Sequence, residues 1–268
     1  MALNLICETV GSGPPLVVLH GLFGSSGNWR GVARALAGSH TVVSVDLRNH
    51  GASPWADSMD YVEMAEDVLQ LIDRLELKRP MVMGHSMGGK VAMALALRHP
   101  ARIAGLIVVD IAPVSYADTL TPFAEAMRSA NVMAAASGAE VQRRLQQAVP
   151  DDQVVPFLMR NLVAHNDHFD WRLNLPGISL AMPQLCAFPT SLFGLRFDGP
   201  VAVIAGTNSE YVAQSGRDSF QPMFSQAEVE FIDDAGHWVH ADQPAAFVGS
   251  VRRLLQGDMQ SSIAEQAL

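Results

Sequence analysis

The sequence predicts an α/β fold, with a mostly parallel central sheet flanked by helices and a helical insertion set into it. Two observations predict it. Short apolar runs alternate with helix-period patterns from Leu16 to Pro113, and the alternation resumes at Val201. At the junction of one run with one helix, Gly84, Ser86 and Gly88 spell G-x-S-x-G. Continuous apolar runs of strand length read as strands buried on both faces, and strand–helix alternation means parallel strands joined by right-handed crossovers.

Taken in order, residues 3–9 read as a short peripheral strand ending in the turn-rich Gly11-Ser12-Gly13-Pro14-Pro15. Leu16–His20 is a buried strand, followed by the glycine-rich loop His20-Gly21-Leu22-Phe23-Gly24 and a helical stretch over 26–36. Thr41–Val45 is the next strand. Asp46 to Pro54 is a long polar turn, after which Tyr61–Leu75 repeats Val62, Ala65, Val68, Leu69 and Ile72 at helical spacing. Pro80–Gly84 reads as a strand and Met87–Arg98 as a helix with Val91, Ala92, Ala94, Leu95 and Leu97 on its apolar side. Ile107–Asp110 is another buried strand. From Val114 to about Arg196 no strand run is found, and the helical candidates are Pro122–Ala135, Ala139–Val149 and Gln153–Val163. Strands return at Val201–Ala205 and Val229–Ile232, a helix near Gln243–Leu255 closes the chain, and Met259–Leu268 reads as a frayed tail. The expected organisation is a core over 1–113, a helical cap over 114–195 and the rest of the core over 196–268.

Composition narrows the function. A chain of 268 residues with 49% apolar residues can bury a substantial core. Its net charge of -9 repels nucleic acid and anionic membrane, and basic residues never cluster beyond pairs such as Arg143–Arg144 and Arg252–Arg253. Cys7 and Cys186 are too few for a disulfide framework or a thiolate zinc site. The opening MALNLICETVGSG lacks a basic n-region and no apolar run reaches bilayer length, so the expectation is a cytoplasmic protein. The sequence leaves its oligomeric state open.

The chemistry is carried by Met81 to Lys90, MVMGHSMGGK. G-x-S-x-G between a strand and a helix is a nucleophile elbow, a sharp turn that holds Ser86 in a strained conformation and presents its hydroxyl. The amide of Met87, at the positive helix end, points to where an oxyanion would form. A second donor is expected from the loop after the Leu16–His20 strand, where Leu22 and Phe23 both qualify. A serine hydroxyl needs a general base, and the base needs an acid that fixes its tautomer. His237 follows Gly236 just past the last strand and is the expected base, while His240 is placed at the start of the last helix. In the turn after the penultimate strand an amide, Asn208, stands where an aspartate would be convenient, which leaves Glu210 or an acid from elsewhere. Asp110 ends the strand after the elbow, on the same sheet rim as Ser86, and is the preferred acid, with Glu210 its rival. His20, His50 and His85 read as structural. His165-Asn166-Asp167-His168 reads as a polar loop rather than a metal site, and no metal or cofactor is expected.

His20-Gly21-Leu22-Phe23-Gly24, Asp46-Leu47-Arg48-Asn49-His50-Gly51, Gly84-His85-Ser86-Met87-Gly88-Gly89-Lys90 and Val109-Asp110-Ile111-Ala112-Pro113 together resemble the α/β-hydrolase superfamily. Within it the chain is similar to the bacterial YbfF-type esterases and their mitochondrial relatives, over about 14 to 113 and 200 to 256. The resemblance implies an α/β-hydrolase fold, an acid taken from the aspartate of DIAPV, which is Asp110 here, and hydrolysis of esters or thioesters, acyl-CoA included.

The insertion is expected to cover the rim where such sheets meet ligands. Phe123, Met127, Phe157, Leu158 and Met159 of the insertion, with Trp238 beside His237, are the candidates for an acyl pocket. Arg128, Arg143, Arg144, Arg160 and Arg172 are candidates for a phosphate or carboxylate contact, against the simpler reading of a solvated face. The leading expectation is a serine carboxylesterase acting on small-molecule esters of short to medium acyl length. Acyl-CoA thioesterase, carbon–carbon bond hydrolase, lyase and haloperoxidase reactions use the same triad, and a non-catalytic ligand-binding protein is the alternative of another class.

Overall fold

The computed structural model describes residues 2–149, 154–212 and 214–256. The core opens with β1 (Cys7–Val10), β2 (Pro15–Leu19), α1 (Arg30–Leu36), β3 (Thr41–Val45), α2 (Tyr61–Arg74), β4 (Met81–His85), α3 (Met87–Arg98) and β5 (Gly105–Val109). The segment between the two core halves holds α4 (Thr121–Ser129), α5 (Gly138–Ala148), α6 (Val154–Met159), β6 (Leu162–Ala164), β7 (Phe169–Trp171) and α7 (Leu175–Cys186). The core resumes with β8 (Val201–Gly206), α8 (Gln214–Phe220), β9 (Ala227–Ile232), α9 (Val239–Asp242) and α10 (Pro244–Gln256).

Seven strands form one sheet in the order β1-β3-β2-β4-β5-β8-β9. Only β1 runs antiparallel to its neighbour. Successive side chains of a strand point to opposite faces, so β2 feeds two cores. Val17 and Leu19 pack with α2 and α3 on one face, while Leu16 and Val18 pack with Trp29, Leu36 and α10's Phe247 and Val251 on the other. All five residues of β4 and of β5 are buried, as central parallel strands require. Asp60 starts α2 by accepting from the Glu63 amide at 2.8 Å, and Tyr61, Met64, Ala65, Val68, Leu71 and Ile72 form its buried side.

The polar turn after β3 is held by Arg48, which is 2% exposed and pairs with Asp67 at 2.7 Å and Glu63 at 2.9 Å. The middle segment is stitched to the core through polar contacts. Tyr61 donates to the Leu185 carbonyl at 2.5 Å, Asn161 to that of Phe23 at 2.8 Å, and the Asn174 amide to that of Asn49 at 3.0 Å. Lys90 donates to the Ala187 carbonyl at 2.9 Å, and burial pushes its ammonium down to about 8.

The middle segment corrects the sequence reading. β6 and β7, three residues each and too short for a periodic signal, pair as an antiparallel hairpin around the His165–His168 turn. The helix expected to run to Ala135 stops at Ser129, because Asn131 is left-handed at φ 44°. That expected over Gln153–Val163 ends at Met159, and its Gln153 lies outside the described residues, as does the tail from Met259. Neither α7 nor α8 was expected. In α7, Pro176 sits in the first turn, where no amide is needed, and Pro183 interrupts the pattern further along.

Candidate active site

Ser86 sits in the turn between β4 and α3 with φ 52° and ψ −118°. The turn is tight enough to dictate its glycines. A Cβ on Gly84 would lie 2.1 Å from the Gly88 carbonyl oxygen, and one on Gly88 would lie 2.6 Å from those of Leu19 and His20. The Ser86 amide donates to the Val109 carbonyl at 3.0 Å, which ties the elbow to the end of β5.

One residue beyond β5 lies Asp110, fully buried and also at positive φ, 51°. Its Oδ2 accepts from His237 Nδ1 at 2.7 Å and from Ser209 Oγ at 2.5 Å, and its Oδ1 accepts from the Gly206 amide at 3.2 Å. With Nδ1–H donated to the carboxylate, the free lone pair of His237 is on Nε2. Glu210 is exposed, and Asn208 is exposed with its amide donated to the Ala235 carbonyl at 2.9 Å. The turn that lacks an aspartate therefore contributes a hydroxyl and a backbone amide to the aspartate of the neighbouring strand. Ser209 carries no signal in the sequence, because a hydroxyl in a polar turn is ordinary until the fold brings it to Asp110.

His237 lies in the loop after β9. Its carbonyl accepts from His85 Nε2 at 2.9 Å, and the Tyr211 ring stacks on its imidazole with centroids 4.1 Å apart. Burial holds His85 well below the usual histidine range, reinforced by His237 and His240. His240 stacks on Trp29 at 4.4 Å, and burial followed by the nearby His237 pushes it down to about 4. Both are neutral at physiological pH. Ser86 and His237 line one cavity without a direct hydrogen bond between them, and in unliganded sites such bonds often tighten only when substrate arrives.

The loop after β2 distinguishes the two oxyanion candidates. The Phe23 amide is taken, donating to His50 Nε2 at 3.1 Å, so Phe23 is not a free donor. His50 in turn donates Nδ1–H to the Arg48 carbonyl at 2.9 Å, and burial together with His20 pushes it down to about 3, which keeps Nε2 able to accept. The amides of Leu22 and Met87 have no protein partner among the described residues. His20 accepts from the Leu47 amide at 3.0 Å and donates to the Gly21 carbonyl at 2.8 Å, which braces the loop.

The cavity has a volume of about 570 Å³, within the range of small-molecule sites. Phe123, Phe157 and Trp238 line it beside Ser86, and Phe157 and Trp238 pack ring to ring at 5.6 Å. Met127 does not: it is fully buried in the hydrophobic core, and its carbonyl accepts from Trp171 Nε1 at 2.9 Å. The spacing that suggested a pocket residue marks the packed side of α4. Of the five arginines considered, Arg160 alone lines the cavity, while Arg144 pairs with Glu140 at 2.6 Å.

Comparison with known proteins bears on the family and the fold. A family model for the alpha/beta hydrolase fold matches residues 14–156. Esterase YbfF of Escherichia coli (strain K12) is 34% identical over 262 residues, covering 95% of this chain and 99% of that protein. The sn-1-specific diacylglycerol lipase ABHD11 of Danio rerio is 35% identical over 254 residues, 92% of this chain and 80% of the relative. A solved marine microorganism esterase superposes with a TM-score of 0.90 at 32% identity, over 94% of this chain and 99% of that one. With its parallel sheet, its serine elbow and relatives matched almost end to end, the chain belongs to the α/β-hydrolase family.

Proposed function

We propose that this protein is a serine carboxylesterase that hydrolyses short to medium acyl esters through an acyl-enzyme. The observation that carries the reading is the buried Asp110–His237 pair at 2.7 Å, converging with the strained Ser86 turn on one largely apolar cavity. Ser86 attacks the ester carbonyl as His237 Nε2 takes its proton. The Leu22 and Met87 amides receive the developing oxyanion, and Asp110 holds the tautomer and stabilises the imidazolium. His237 then returns the proton to the leaving alcohol, and water repeats the sequence on the acyl-enzyme.

The residues from α4 to α7 act as a cap over this rim, a role supported by Phe123 and Phe157, which both reach the cavity from it. The free thiols of Cys7 and Cys186 support a reducing, cytoplasmic setting. Among the described residues no helix is long and apolar enough to cross a membrane.

A fluorophosphonate probe tests the reading. It is expected to label Ser86 covalently, located by peptide mass spectrometry, and folded protein that resists the probe would favour the binding-protein alternative. A second reading, acyl-CoA thioester hydrolysis, is favoured by Arg160, which is exposed, lines the cavity and has no acidic partner among the described residues. Rates over p-nitrophenyl esters and acyl-CoAs of graded length separate the two. In the same screen Phe157→Ala is expected to move the preferred acyl length upward by opening the cavity wall, and an unchanged profile would place the acyl chain elsewhere.

A further inference from the structure

We infer that Tyr211 is a positioning residue that acts through His237, its ring face stabilising the positive charge this histidine acquires during catalysis. The inference rests on the serine-esterase reading above. Tyr211 lies two residues past Ser209, and its ring covers the His237 imidazole at 4.1 Å between centroids with planes 26° apart. An aromatic face is the negative end of the ring quadrupole, so a cation stacked against it is attracted.

The backbone that carries this ring is fixed from two sides. The Tyr211 carbonyl accepts from Tyr116 Oη at 2.7 Å, and that same Oη accepts from the Ala112 amide at 3.0 Å, two residues past Asp110. The Tyr211 amide donates to Ser209 Oγ at 3.3 Å, the hydroxyl that also bonds Asp110. The segment that carries the acid and the turn that supports it thus both hold the tyrosine against the base.

The surroundings of His237 make the face count. Asp110 meets the ring in its plane at Nδ1, His85 lies 4.6 Å away and Trp238 presents an edge contact at 5.9 Å. His85 and His240 are held neutral by burial, so neither adds a charge. Burial also raises the Tyr211 phenol, which keeps it neutral. When the Ser86 Oγ proton moves to Nε2, the new cation is met by a carboxylate in the ring plane and by a π face above it. The proton leaves again with the alcohol, so from the neutral resting histidine the stabilisation lowers the barrier, and in acid the same ring face favours the imidazolium of the free enzyme.

Cation–π contacts of this kind correspond to between about twofold and thirtyfold in rate, depending on how dry the site is. Tyr211→Phe keeps the ring and is expected to hold kcat within about twofold. Tyr211→Leu is expected to lower kcat about tenfold with little change in KM, and to move the acid limb of kcat/KM to lower pH, because the imidazolium is less favoured. Phenylalanines carrying one to five fluorines at position 211 drain the ring face while keeping its shape, and log kcat is expected to fall steadily along the series. That series tests the charge even where the leucine variant folds poorly. A kcat flat across the fluorinated series, or an acid limb unmoved in Tyr211→Leu, would overturn the inference. Fluorophosphonate labelling of Ser86 in every variant separates that outcome from failure of the esterase reading, in which the wild-type protein itself resists the probe.

Discussion

Ser86→Ala is expected to remove ester turnover, by roughly 10⁶ in kcat if the loss matches that for the serine of subtilisin, or about 8 kcal/mol of transition-state stabilisation. The fold is expected to survive. The bonds that hold the turn are backbone bonds, from the Ser86 amide to Val109 and from the Gly89 amide to the Ser86 carbonyl at 2.9 Å, and alanine keeps both. A thermal melt beside the assay distinguishes lost chemistry from lost structure. Substantial turnover in a well-folded Ser86→Ala protein would reject the elbow as the catalytic centre.

Asp110→Asn is expected to be nearly as severe, roughly 10⁴ in kcat by the protease precedent, in which an amide in place of the acid holds the histidine in the wrong tautomer. Local geometry enforces that outcome here. The Gly206 amide donates to one carboxylate oxygen, so an asparagine must keep its carbonyl there and turn its NH₂ toward His237 and Ser209. Ser209 can rotate its hydroxyl to accept. His237 can accept only by giving up its Nδ1 proton, which leaves Nε2 protonated and unable to act as a base. Glu210→Gln, at an exposed position with no bond to His237, is expected to be nearly silent in the same assay. The reverse pattern, an active Asp110→Asn and an inactive Glu210→Gln, would overturn the assignment.

Those two variants mark where the sequence was legible. The elbow could be read because three requirements coincide within ten residues: an apolar strand, glycines where no Cβ fits, and a helix start. Thr41–Val45 and Met87–Arg98 match the structure to the residue for the related reason that buried strands and helices leave unbroken patterns. Asp110 could be placed on the rim because parallel strands share a carboxyl edge. The supporting contacts were not legible in that way. That Ser209 reaches Asp110, Tyr211 covers His237 and His50 occupies the Phe23 amide depends on how separate loops meet, and no spacing records it. Met127 misled because an amphipathic helix has the same period whether its apolar side meets a cavity or a core. The middle segment was hardest, since three-residue strands fall below any periodic signal and prolines disguise α7.

Phe23, Ser86 and Asp110 all sit at positive φ, at 60°, 52° and 51°, and all three belong to the site. Conformations of this kind cost of order 1–3 kcal/mol each, against a net stability of about 5–15 kcal/mol for a typical domain. Part of the backbone's strain is therefore placed where the chemistry is done, and the surrounding strands must hold it there. For an evolving lineage this sets two pressures against each other. Glycine at any of the three positions would relieve the backbone but delete the buried Phe23 side chain, the Ser86 hydroxyl or the Asp110 carboxylate, so the strain can be shed only together with the packing or the chemistry it serves.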